Sequence, residues 1–160
     1  MLQNSYVEKV TITPATDAQV SAAEALTGLL GGALAFPTGL LGFADCRRFT
    51  LSRFKPGDSH PSPFLVLSSL DQKLSFLVIQ PDFVATDYAV PCFAELLRSL
   101  GADSAAELLT LLIVTVRERI EDITVNLQGP LVLSTRSRVG IQLVLEEFPL
   151  RHPIVFPPNP

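Results

Sequence analysis

Short apolar runs, each closed by Gly, Pro or a polar turn, recur along this sequence, and only one stretch carries a clear helical period. Breaks this frequent come too early for packed helices, so the pattern excludes a helical bundle and favours short strands joined by tight turns. Tyr6, Val10 and Ile12 share one face of an alternating run that predicts a first strand ending at Pro14. Leu34–Phe36 leads into the turn residues Pro37-Thr38-Gly39, and Phe49–Phe54 alternates again. Phe64–Leu67 and Leu74–Ile79 read as adjacent antiparallel strands, after a Pro/Ser loop over 56–63. Leu111–Val116 is apolar on both faces, as a central buried strand is. Ile123–Leu127 alternates, Gly129-Pro130 breaks it, Leu131–Leu133 resumes, and Arg136–Gly140 forms a hairpin tip before the return strand Ile141–Leu145.

The helical stretch is 91–100. Pro91 suits a first helical position, Phe93, Leu96, Leu97 and Leu100 fall on one face, and Gly101 is a stop. Thr16 with Gln19 forms a capping-box pattern ahead of a second, shorter helix near 18–30, stopped by Gly31-Gly32; Ser104 with Glu107 forms another. The expected architecture is therefore mostly β: a small antiparallel β-barrel-like domain with one main helix at about 91–100. One domain spans 1–160, with a Pro-rich tail at about 155–160.

Composition limits what such a domain does. Hydrophobic residues make up 48% of the 160 and charged residues 18%, which excludes a disordered chain. Twelve Lys+Arg against sixteen Asp+Glu give a net charge of −4, which argues against a general phosphate-binding surface and so against direct nucleic-acid binding. The cysteines, Cys46 and Cys92, cannot make a disulfide framework or a four-ligand zinc site, and a reducing cytoplasm is expected. Ala25–Ala44 carries no charge, but Gly28, Gly31, Gly32, Pro37, Gly39 and Gly42 interrupt it. A broken helix would leave backbone groups unsatisfied in lipid, so no membrane span is expected, and the N-terminus has no secretory pattern.

Candidate chemistry is sparse. His60 and His152 lack metal-ligand spacing, and no metal or other cofactor is expected. Gly28–Gly32 (GLLGG) lacks the Lys and Ser/Thr of a phosphate loop and reads as a helix stop. Cys46 beside Arg47 and Arg48 is either a thiol of lowered pKa or, more commonly, a half-buried apolar residue. Asp82/Asp87, Glu121/Asp122 and Glu146/Glu147 are paired carboxylates; neighbours on a strand point apart, so Glu146/Glu147 is a poor catalytic dyad and fits a solvated strand end or an acidic contact surface. A small ligand-binding or hydrolytic barrel using Asp82, Asp87 or Cys46 is the enzymatic alternative. Arg136 and Arg138 at the hairpin tip fit a carboxylate or phosphate clamp, or a solvated edge that deters strand pairing. Asn126 and Gln128, placed on one face before Gly129-Pro130, fit equally a bulge offered to a partner and amides that satisfy neighbouring loops.

Taken together, several segments resemble the flagellar assembly factor FliW family. Phe36–Phe43 (FPTGLLGF) is similar to its FPxGLPGF signature. Phe64–Leu70 with Leu74–Val78, then Pro81-Asp82-Phe83 and Tyr88, follow its paired-strand segment. Thr124–Leu133 (TVNLQGPLVL), Gly140–Leu145 and Arg151-His152-Pro153 resemble its TxNLxAPxVIN, GxQxxL and RHP elements, in order. Leu41 stands in place of the usual proline, Ser134 where asparagine is common and Glu8 in place of a glycine; Thr16–Gly32 looks longer than the family's link. The resemblance implies a non-enzymatic, monomeric or weakly oligomeric β-protein that binds flagellin and the RNA-binding repressor CsrA. Such a protein relieves repression of flagellin translation until flagellin competes for it. On that reading the expected partner-binding residues are Asn126, Gln128, Asp82, Asp87 and Arg136.

Overall fold

A computed structural model describes residues 24–54, 62–84, 87–119 and 122–154. The strand expected at 6–13, the start of the helix near 18–30, the loop over 55–61 and the tail at 155–160 lie outside the described residues. Among the described residues, 24–29 are helical, labelled α1. After it come β1 (Leu34–Ala35), β2 (Arg48–Arg53), β3 (Phe64–Ser69) and β4 (Ser75–Ile79), with a 3₁₀ turn at Pro81–Phe83. Helix α2 (Ala94–Leu100) and a 3₁₀ turn at Ala105–Glu107 precede β5 (Leu108–Thr115), β6 (Thr124–Val125), β7 (Leu131–Ser134), β8 (Gly140–Gln142) and β9 (His152–Pro153).

Every ladder is antiparallel, in the order β1-β2-β3-β4-β5-β6-β9, with β7 pairing β5 and β8. The mostly β expectation holds. Barrel-like describes it only loosely, because among the described residues no ladder joins β8 back to β1 and a single parallel bridge, Ala35 to Val139, spans that gap.

β5 organises the rest. Side chains alternate along a strand, so Leu109 and Leu111 enter the main core while Leu112 and Val114 point to a second cluster on the opposite face. The main core gathers Leu29, Leu34, Phe36, Phe49, Leu51, Leu67 and Leu131, all fully buried, and sealing each such side chain stabilises the fold by about 1.5–3 kcal/mol. Strand β4 runs along one edge of β5, and β6 and β7 follow each other along the other.

Two expectations shift in detail. The main helix begins at Ala94 rather than 91: Phe93 is extended at the N-cap, without a side-chain cap, and is 46% exposed. Leu96 and Leu100 still bury against Val132 on the outer face of the sheet, and Gly101 ends the helix with a φ of 63°. The return strand also stops early, at Gln142, because residues 143–145 turn to bond the irregular segment before β7.

Candidate functional site

The break predicted at Gly129-Pro130 is a densely hydrogen-bonded irregular segment. Leu111 pairs with Leu131 and Val114 with Val125, so residues 126–130 lie opposite only Leu112 and Ile113. The surplus chain bulges out of the ladder. Much of its backbone is hydrogen-bonded within the protein itself. The Asn126 side-chain oxygen accepts the N–H groups of Gln128 and Gly129, each at 2.9 Å, closing an Asx turn. Leu145 N–H donates to Gln128 O at 2.7 Å and Leu143 N–H to Pro130 O at 2.9 Å.

Two distant side chains complete the bulge. Gln142 donates from Nε2 to Gly129 O at 3.0 Å and accepts Leu41 N–H on Oε1 at 2.8 Å, tying the 36–43 turn to the bulge. Any Cβ on residue 129 would stand 2.8 Å from Gln142 Nε2 and 3.1 Å from Asn126 Nδ2, which is why glycine sits there. The Tyr88 hydroxyl donates to Leu127 O at 2.7 Å, and its ring packs on Phe148 with centroids 4.7 Å apart. Burial, then the negative charge of Glu147, pushes the Tyr88 phenol up to about 12.

Around Tyr88 the surface is acidic. Asp82, in the Pro81–Phe83 turn, lines a groove of ≈ 220 Å³ with Gln80, Tyr88, Val90 and Thr110. Asp87 precedes Tyr88 and Glu147 precedes Phe148, and Asp82, Asp87, Glu146 and Glu147 are all exposed. Glu146 and Glu147 occupy a turn, not the expected strand end. Asn126 and Gln128 are half-buried; the Asn126 oxygen faces its own backbone. Asp82 lines the groove with Tyr88, Asp87 is its neighbour in the chain, and Arg136 sits at the hairpin tip against Asp103 and Glu107.

At the hairpin tip the two arginines separate. Arg136 ion-pairs with Asp103 and, at 3.7 Å, with Glu107. Arg138 turns the other way, onto the backbone carbonyls of residues 28–33. They therefore form no shared clamp for an anion. Cys46 is 1% exposed within the main core, which keeps its thiol from any substrate. Arg48 is drawn off it by Asp71, whose carboxylate accepts the Arg47 and Arg48 N–H groups at 2.9 Å and the Arg48 guanidinium at 2.9 and 3.0 Å. Those bonds, the Arg47 N–H first, hold the Asp71 carboxyl below its ordinary range. Among the described residues no cluster of His, Cys, Asp and Glu is arranged to hold a metal ion. None of the described helices is long and apolar enough to cross a membrane.

A model of the FliW protein family matches residues 18–154. The chain belongs to the FliW family. It is similar to the flagellar assembly factor FliW of Natranaerobius thermophilus, 34% identical over 125 residues, covering 76% of this chain and 80% of that one. The Treponema denticola FliW is 36% identical over 110 residues, covering 68% and 71% of the two chains. The crystal structure of a flagellar assembly factor FliW superimposes with a TM-score of 0.67 at 25% identity, over 79% of this chain and 86% of that chain. The FliW match includes 18–32, the stretch that looked longer than the family's usual link. Gln142, Tyr88 and Arg138 were missed as organising residues, since their partners lie far away in sequence. Gln142 had a signal in the GxQxxL element and Tyr88 in the segment after Pro81-Asp82-Phe83, while Arg138 was singled out only as half of an anion clamp or as a solvated edge.

Proposed function

We propose that this chain serves flagellar assembly as a cytoplasmic, non-catalytic binding protein that engages the RNA-binding repressor CsrA and so relieves repression of flagellin translation. Flagellin is the competing partner, and the chain acts as a monomer or weak oligomer. Membership of the FliW family supports the flagellar role. The observation that carries the binding reading is the division of labour around Tyr88. Asn126, Gly129 and Gln142 hold the bulge from within, and exposed carboxylates at Asp82, Asp87 and Glu147 rim the outside. Carboxylates spread over an open surface suit docking to a basic protein, and a negative body docked beside an RNA-binding face repels incoming phosphate.

The test is binding with purified components. The chain should co-elute with CsrA and with flagellin separately at micromolar concentration, and flagellin should displace CsrA. Asp82→Lys combined with Asp87→Lys should weaken CsrA binding at least tenfold, mainly through a slower on-rate at low salt. Absence of either complex, or simultaneous binding of both partners, overturns this reading.

A further inference from the structure

Among the described residues, the gap between β1 and β8 is spanned by the Ala35–Val139 bridge and by the side chain of Arg138. Arg138 is the one non-glycine residue with a left-handed backbone among the described residues, at φ 62°. That conformation is disfavoured for a residue with a Cβ, and such outliers persist where the surroundings demand them. Here it delivers the guanidinium onto α1 and the chain that follows. Nε donates to Ala33 O at 2.9 Å, Nη1 to Gly28 O at 2.9 Å, and Nη2 to Leu29 O at 3.2 Å and to Gly31 O. The GLLGG segment is thus the reverse of a phosphate loop: it turns carbonyls, not N–H groups, toward its ligand. Gly31 and Gly32, at φ 70° and 67°, allow that curl.

Among the described residues, a bridge from Leu30 to Leu51 and a few backbone bonds also hold this segment. Ala35 N–H donates to Arg138 O at 2.9 Å across the seam, and Gly31 N–H to Leu51 O at 3.0 Å. β1 pairs with β2 through Leu34 and Ala35 alone, whereas β2, β3 and β4 are joined by long continuous ladders. Leu26, Leu29 and Leu34 seal the underside of the segment against the core. The segment has a glycine bend at Gly31-Gly32, a polar tie to Arg138 and a separate apolar underside.

We propose that the seam between β1 and β8 is a latched opening, in which residues 24–35 detach as a unit when the Arg138 guanidinium leaves its carbonyls, while β2–β5 stays folded. The open state frees the β8 edge and uncovers Leu34 and Phe36. The buried leucines make it a minor state, and Arg138 sets its population. This inference is independent of which partner the protein binds.

Amide hydrogen exchange on the full chain tests it. Arg138→Gly keeps the left-handed turn comfortable while removing the latch. Exchange at Gly31, Ala35 and Phe36 should rise about 10- to 100-fold, with the amides of the β3–β4–β5 ladders within about twofold of the parent. Arg138→Lys, which retains charge but loses the planar fork, should give a smaller rise at the same amides and serves if the glycine variant does not fold. A uniform rise across all ladders, or no change at the seam in a folded variant, overturns the proposal.

Discussion

Strand β7 is flanked by two irregular segments that solve the same problem by different means. At its start, the 126–130 bulge is held by neutral amides, a phenol and a close-fitting glycine, half-buried or buried. At its end, the Thr135–Arg138 turn is held partly by buried Ser134, whose hydroxyl accepts the Arg136 and Ser137 N–H groups at 3.2 Å, and partly by the exposed Arg136 ion pairs. The difference teaches where stability resides. Removing a partner from a sheltered hydrogen bond leaves an unmet polar group, while removing one from an exposed ion pair returns both groups to water.

The largest effect expected from this contrast is at Asn126. Asn126→Ala strands the N–H groups of Gln128 and Gly129, and should destabilise by about 2–3 kcal/mol. In a chain of this length that lowers the melting temperature by about 5–10 °C. Asn126→Asp keeps the accepting oxygen and should cost under about 1 kcal/mol. A loss of partner binding in the alanine variant would then need the aspartate variant beside it, because a collapsed bulge and a missing contact look alike. An Asn126→Ala protein as stable as its parent would show that the Asx turn is not what holds the bulge.

Tyr88 comes next. Tyr88→Phe removes the bond to Leu127 O and should cost about 1 kcal/mol. Its pH dependence has a defined sign. Below pH 10 the phenol is neutral in both folded and unfolded chains, and its contribution is fully present. From there to about 12 the unfolded chain ionises first, so stability falls as pH rises. Urea midpoints at pH 9, 10, 11 and 12 should decline more steeply for the parent than for Tyr88→Phe. Parallel curves would mean that the phenol titrates near its ordinary value.

These positions also show what the sequence carries. The strands over 48–53, 64–69 and 75–79 are legible because alternation and turn residues are local signals. The break at Gly129-Pro130 is legible for the same reason. The inward use of Asn126 was within reach, since Asn commonly bonds backbone two and three residues ahead, but an outward amide face fits the alternation equally well. The bond from Gln142 to Leu41 and that from Tyr88 to Leu127 bridge residues with no local relation, and no periodicity encodes them. Arg138 breaks a local rule at φ 62°, and its compensation lies more than a hundred residues away. The late start of α2 is not legible in the same way: Phe93 takes the N-cap position in extended conformation although it offers no capping side chain.

The smallest stability change is expected at Arg136, and that makes it the sharpest probe of surface function. Its side chain is 62% exposed and its partner Asp103 is 81% exposed. Pairs that open to water contribute about 0.2–1 kcal/mol, less at high salt. Arg136→Ala should therefore lower the unfolding free energy by under about 1 kcal/mol, since Ser134 still organises the turn. Any tenfold loss of partner affinity in that variant would belong to the contact surface and not to the scaffold. Unchanged affinity would remove Arg136 from the binding surface and leave the Tyr88 rim as the place to look. A drop in stability as large as that of Asn126→Ala would break the comparison itself, because it would make the tip's ion pairs structural in the way the bulge's amides are.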